Sequence, residues 1–212
     1  MAIRSALINV MTAAALKAAR GMIRDFGEVE QLQVSVKGPS DFVSQADIRA
    51  EQTLREELNK ARPGYAFLME ESGASGSPHW SWRWVVDPLD GTSNFLHGIP
   101  HWAISIGLER RLADGGAELA AGLIYAPAVD EMFWAEKGVG AYVNERRLRV
   151  SARRELKDAI FATDPGGGDP LDAGDVVAAN PHLHAVLTQA VTQGIVRAQS
   201  SGPGNERGSD SG

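Results

Sequence analysis

Cysteine is absent from the 212 residues. That removes disulfides, thiolate metal sites and cysteine nucleophiles from consideration. Aromatic residues are sparse at 7%, and the central ones, Trp80, Trp82 and Trp84, alternate as on one strand face. They read as core rather than as a base-stacking surface. Positive charge is in deficit: Lys and Arg number 21 against 27 Asp and Glu, for a formal net charge of −6. A general nucleic-acid binder is usually basic, so the balance argues against nucleic acid as a partner. It leaves a phosphorylated small molecule open, because a bound cation can reverse the local sign. No apolar run approaches the roughly 20 residues that span a bilayer. The Ala-rich N-terminus is interrupted by Lys17, Arg20, Arg24 and Asp25 and lacks the basic-then-apolar order of a signal peptide. A cytoplasmic protein with no membrane partner is the expectation.

The most informative stretch runs from Trp84 to Phe95, Trp-Val-Val-Asp-Pro-Leu-Asp-Gly-Thr-Ser-Asn-Phe. Its apolar, β-branched start favours a strand, and Pro88 and Gly91 are expected to stop it. Asp87 and Asp90 then sit together at the strand's carboxyl end, where two carboxylates repel unless something positive lies between them. A divalent cation is the simplest candidate, since hard cations take oxygen ligands. Gly91-Thr92-Ser93 follows with small residues; a helix starting there would turn its N–H groups toward an anion such as phosphate. The plainer alternative is a turn and a helix cap, because Asp-Pro and Asp-Gly are ordinary turn dipeptides. A second acidic pair, Glu70-Glu71, follows the apolar run Tyr65–Met69 and favours the metal reading. Neighbouring side chains of an extended chain point to opposite faces. One of the two is therefore a candidate ligand and the other a supporting group, unless the chain bends.

Around these stretches the elements can be read in order. Helical spacing of Leu7, Val10, Met11, Ala14, Ala18, Met22 and Phe26 predicts a helix over 4–26, with Gly27 as its stop. Val34 and Val36 suggest a short strand. A helix over 44–61 follows, capped by Asp41 or Ser44, with Ala46, Ala50, Leu54 and Leu58 four apart and Ile48 beside them. Lys37, Asp41 and Asp47 cluster at its start, a pattern that also fits a solvated, dipole-matched helix end. Residues 73–81 read as loop. His97 and His101 are separated by Gly98 and Pro100, which argues against a helical metal pair and assigns them to surface or loop roles. Strands follow over 102–108, 118–125 and 131–135, with a hairpin turn at Asp114-Gly115-Gly116. Gly138-Val139-Gly140 lacks both the full dinucleotide fingerprint and a following helix. Leu148–Val150 closes this block.

These residues resemble the inositol monophosphatase family of lithium-sensitive, magnesium-dependent phosphatases, and its bacterial type most of all. Asp87–Phe95 looks like the signature D-P-[IL]-D-G-T-x-N-F. Lys37–Asp47, Met69–Gly73 and Ile124–Ser151, with a D-E-x-F-x-A-x-x-G-x-G-A core from Asp130 to Ala141, agree in order and spacing. The resemblance implies an α/β (α+β layered) fold, an α-β-α-β-α sandwich. Residues 1–155 would be its metal-binding half with a large antiparallel sheet, 156–196 an incomplete C-terminal half, and 197–212 a disordered tail foreign to the family. It implies Glu70, Asp87, the Leu89 carbonyl and Asp90 as magnesium ligands, for two or three Mg²⁺ ions with Mn²⁺ as the alternative. Glu70 and Thr92 would handle the attacking water, with Asp47 polarising Thr92. Asp90, Gly91 and Thr92 would meet the substrate, and Lys37, Asp41 and Glu71 would support the site from behind.

The implied activity is hydrolysis of inositol-1-phosphate or a related sugar phosphate by metal-activated water, in a homodimer. Met69 replaces the usual Gly or Thr before Glu70. The late W-D-x-A-A-G motif and the G-S-A-A segment are not found, so the resemblance implies a chain truncated at its C-terminal end, with impaired activity. Two alternatives stay open: a fructose-1,6-bisphosphatase or 3′-nucleotidase of the same superfamily, and a non-enzymatic interaction protein acting on RNA processing or transcription machinery.

Overall fold

The computed structural model describes residues 4–32, 39–152 and 154–155, without the side chains of 30–32 and 39–44. The chain divides into two units, Met1–Leu148 and Arg149–Gly212, and the fold set out below is that of the first. The expected Val34–Val36 strand and the blocks after 155 lie outside the described residues.

Two long helices come first, α1 over Ala6–Leu32 and α2 over Pro39–Ala61. The Ser5 hydroxyl accepts the Ile8 amide at 3.2 Å, capping α1 as a short polar side chain does at a helix start. Gly27 does not stop α1. A helical glycine costs only about 1 kcal/mol against alanine, and the turn beyond it buries Val29. Asp41 and Ser44 lie inside α2 rather than capping it, because the helix already starts at Pro39, a residue preorganised for a first turn. Lys17 of α1 bonds Glu57 of α2 at 2.6 Å, and Arg49 of α2 bonds Asp25 of α1 at 2.8 Å. Early-to-late and late-to-early pairing makes the two helices antiparallel. Asp25, expected on an outer face, is 4% exposed and holds the guanidinium groups of Arg24 and Arg49.

Among the described residues, eight strands form one sheet in the order β2-β1-β3-β4-β5-β6-β7-β8. They are β1 Ala66–Met69, β2 Gly73–Ser75, β3 Trp82–Asp90, β4 Ala103–Arg111, β5 Ala117–Ala126, β6 Glu131–Glu136, β7 Gly140–Val143 and β8 Arg146–Arg147. All neighbours are antiparallel except β1 and β3. The short helix α3, Thr92–Leu96, follows β3. Residues 73–75, expected as loop, pair with β1 as β2, since the turn at Glu70–Ser72 is tight enough to return the chain onto its own edge.

Period-two burial explains the layering. Trp84 and Val86 of β3, Ile104, Ile106 and Leu108 of β4, Leu123 of β5 and Trp134 of β6 join one core with Ile8, Met11, Ala15, Ala18 and Met22 of α1 and Leu54 and Leu58 of α2. By length and composition Ala6–Val29 could cross a bilayer, contrary to the sequence reading. Its apolar stripe is instead spent on this core. Ile48 is exposed, as are Leu119 and Ile124 on the opposite sheet face. That face also carries an open groove of about 700 Å³ lined by residues such as Leu119, Gly122, Val139 and Arg147. It lies on β5 to β8, away from β1 and β3. Trp80 is not core: the guanidinium groups of Arg83 and Arg111 lie 4.5 and 5.5 Å from its ring, so cation–π contact holds it at the surface.

Candidate metal centre

Two segments of the first unit bring carboxylates within 4.8 Å of one another, and a third supplies Asp87 beside Glu70. α2 supplies Asp47, 3% exposed. The turn after β1 supplies Glu70 and Glu71. One carboxylate oxygen from each of Asp47, Glu70 and Glu71 lies within 4.8 Å of the others. The bend that sequence reasoning required for two adjacent glutamates to converge is present as the Glu70–Ser72 turn. The Glu70 amide donates to the Val86 carbonyl at 3.1 Å, which fixes this turn beside the end of β3.

β3 brings the third group. It does not stop at Pro88 but runs to Asp90, with its register against β4 shifting between Asp87 and Asp90. Proline is admitted to strands at such irregularities, where its missing N–H costs no ladder bond. The irregularity folds the backbone onto itself: the Leu89 amide donates to Asp87 Oδ1 at 3.0 Å, and the Thr92 hydroxyl donates to the Leu89 carbonyl at 2.9 Å. Asp87 shares a hydrogen bond with Glu70 and feels the charge of Asp90. Glu70 therefore links the Asp47–Glu71 group to the Asp87–Asp90 turn. Gly91 closes the turn at φ +89°, where a Cβ would sit 2.9 Å from the His101 carbonyl oxygen.

The electrostatics are those of crowded acids. The Asp47 carboxyl is pushed up to about 7, first by burial and then by the charges of Glu71, Glu70 and Glu51. Asp87 is pushed up to about 8 by burial, by its hydrogen bond and charge interaction with Glu70, and by Asp90, against the Leu89 amide, which acts the other way. Asp47 Oδ1 is buried without a hydrogen-bond partner, and a buried acceptor left unmatched is costly. A hard divalent cation fits this all-oxygen donor set and would relieve both the repulsion and the orphaned oxygen.

Not every expected relationship is present. The Thr92 proton goes to the Leu89 carbonyl, three residues back, rather than toward Asp47, because the first turn of α3 folds the hydroxyl over the preceding irregularity. Lys37 and the Asp41 side chain lie outside the described residues. His97 and His101 are exposed, and His97 Nδ1 meets the Ser93 carbonyl at 2.7 Å. Sequence reasoning missed Glu51, 6% exposed. Its Oε2 accepts the amides of Glu71 and Ser72 at 3.0 and 3.3 Å. An acidic residue among Ala46, Ala50 and Leu54, four positions after Asp47, was the available signal.

A profile described as the Inositol monophosphatase family matches residues 4–200. An inositol-1-monophosphatase of Mesorhizobium japonicum is 58% identical over 158 residues, 74% of this chain and 58% of the relative. A Nus factor SuhB of Xylella fastidiosa is 36% identical over 86% of this chain and 63% of its own length. The crystal structure of the extragenic suppressor protein suhB from Bartonella henselae superposes with a TM-score of 0.62 at 51% identity, over 73% of this chain and 58% of that one. The chain thus spans about three-fifths of the length of the relatives it matches. The mixed α/β architecture is that of these structures, and the match over 4–200 places the chain in the inositol monophosphatase family.

Proposed function

We propose that this chain carries the metal-binding half of a Mg²⁺-dependent phosphomonoesterase that hydrolyses inositol-1-phosphate or a related sugar phosphate. The observation that supports this reading most is the meeting of Asp47, Glu70 and Glu71 within 4.8 Å, joined through Glu70 to Asp87. Glu70, Asp87, Asp90 and the Leu89 carbonyl would hold two or three Mg²⁺ ions, or Mn²⁺ in their place. Oxygen donors without histidine or thiolate favour these metals. When bound, such cations polarise phosphoryl oxygens and lower the pKa of water. The Leu89 carbonyl has a second lone pair free of its bond from Thr92. Glu70 accepts a proton from an attacking water, while the Thr92 hydroxyl orients that water with its remaining lone pairs. Asp47 and Glu71, whose carboxylates lie within 4.8 Å of Glu70, are assigned supporting roles together with Lys37 and Asp41. Asp90, Gly91 and Thr92 contact the substrate. The resemblance further suggests a cytoplasmic homodimer.

The test is phosphate release from inositol-1-phosphate, fructose-1,6-bisphosphate and 3′-phosphoadenosine 5′-phosphate, with and without Li⁺. Release is expected only with Mg²⁺ or Mn²⁺, to fall with Li⁺, and to vanish in Asp87→Asn. Release that persists in EDTA or in Asp87→Asn overturns the reading. The similarity to a Nus factor favours one second reading, an interaction protein of the transcription machinery. Retained metal binding with no release from any of the three substrates supports that alternative.

A further inference from the structure

Asp47, Glu51 and Arg55 are four residues apart on α2, so they lie along one face of the helix. Each reaches the same hairpin turn differently. Asp47 meets the carboxylates of Glu70 and Glu71. Glu51 accepts the amides of Glu71 and Ser72. Arg55 donates to the Ser72 hydroxyl at 2.6 Å and the Ser75 hydroxyl at 2.9 Å, while its guanidinium lies 5.3 Å from the Phe67 ring. The turn and the two short strands that flank it are thus gripped at backbone, hydroxyl and ring by one helix face.

We propose that Glu51 and Arg55 are positioning residues for the metal centre: they hold the Glu70–Ser72 turn at a fixed distance from Asp47, so that Glu70 and Glu71 are already aimed when a cation arrives. This rests on the metal-binding reading above. The physical need is specific. Adjacent glutamates in an extended chain diverge, and three crowded carboxylates drive one another apart. Turning both side chains inward therefore requires an external restraint on the backbone. Glu51 supplies it through charge-assisted hydrogen bonds, which are stronger than neutral ones. It does so at the cost of adding a fourth negative charge near Asp47. A residue kept for stability alone would be expected to avoid that charge, and a restraint on the turn accounts for it.

The experiment uses the full chain and two readouts. Mn²⁺ is titrated by calorimetry, and exchange of the Glu71 and Ser72 amides is followed by NMR without metal. Glu51→Ala is expected to weaken Mn²⁺ binding about 10–100-fold, the range for loss of a group that orients a ligand, and to speed exchange of both amides. Glu51→Gln keeps a carbonyl acceptor and is expected to restore both within about threefold. Arg55→Lys keeps the charge but not the fork and is expected to weaken binding about threefold to tenfold; it carries the test if Glu51→Ala does not fold. Mn²⁺ affinity and amide exchange unchanged in Glu51→Ala, or equal losses in Glu51→Ala and Glu51→Gln, would overturn the proposal. A wild-type chain that protects both amides yet takes up no Mn²⁺ would instead overturn the metal-binding reading, and with it the positioning role of Glu51 and Arg55.

Discussion

Replacing Gly91 by alanine should damage the turn that aims Asp87 and Asp90, and the cost can be worked from two independent causes. Gly91 has φ +89°, a left-handed conformation that costs an L-residue about 1–2 kcal/mol. The added methyl would also stand 2.9 Å from the His101 carbonyl oxygen and 3.2 Å from Trp102 Cα. Both are backbone atoms, and Trp102 is 3% exposed and packed on Phe95, so neither can swing aside. Forced overpacking of this kind costs about 1–3 kcal/mol. Together the two predict a loss of about 2–5 kcal/mol, a large share of the roughly 5–15 kcal/mol that holds a domain together. At about 2–4 °C per kcal/mol for a chain of this size, thermal melting in EDTA should fall by about 4–20 °C. Gly64 is the control. It also has positive φ, but nothing lies within 4 Å of its Cβ position, so Gly64→Ala should lose only the conformational part. Melting of Gly91→Ala within about 1 °C of wild type, or equal losses at both glycines, would refute the reasoning.

The same structure makes further predictions. Metal-free stability should fall as pH rises from about 4 to about 8. Asp47 and Asp87 are raised to about 7 and about 8 from the ordinary carboxyl value of 3.8, so between these limits the unfolded chain releases protons that the native chain keeps. Melts in EDTA at successive pH values would show the decline, and Asp47→Asn should flatten it below pH 7. Phe95 is fully buried, with ring centroids 5.2 Å from Phe26 and 4.9 Å from Trp102. Phe95→Ala should therefore cost about 3–5 kcal/mol in urea unfolding. Arg83 grips Glu109 Oε2 with two nitrogens at 2.7 and 2.9 Å, and Glu109 is 8% exposed. Arg83→Ala should cost more than the median surface pair of about 0–1 kcal/mol, approaching the roughly 3–5 kcal/mol of a broken buried pair. Denaturant unfolding of Arg83→Ala and Arg83→Ala/Glu109→Ala would separate the orphaned charge from the pair itself.

Much of this was legible in the residues, for reasons that differ from element to element. The stripe Ala46, Ala50, Leu54 and Leu58 is buried throughout, because a four-residue repeat of apolar side chains has few other uses. The hairpin at Asp114–Gly116 and the pairing of 118–125 with 131–135 follow from turn chemistry and alternation. Stop signals were less dependable. Gly27 and Pro88 each lie inside an element, since a local penalty of about 1 kcal/mol is outweighed by a buried turn, and an irregular pairing exempts a proline. Motif spacing pointed to Glu70, Asp87 and Asp90, but no spacing rule shows that Glu51 reaches across to the amides of Glu71 and Ser72. That contact depends on how α2 sits over the turn. The Thr92 bond to Leu89 likewise follows from the irregular end of β3, which one-dimensional reading treated as a strand end.

The most direct measurement is a calorimetric titration of Mn²⁺ into the metal-free full chain, repeated for Glu70→Gln, Asp87→Asn and the distant surface change Glu118→Gln. The account predicts saturable uptake by the wild type and by Glu118→Gln, and its loss in Glu70→Gln and Asp87→Asn. Equal uptake by all four proteins, or none by the wild type, would contradict the claim that these carboxylates converge to hold a cation.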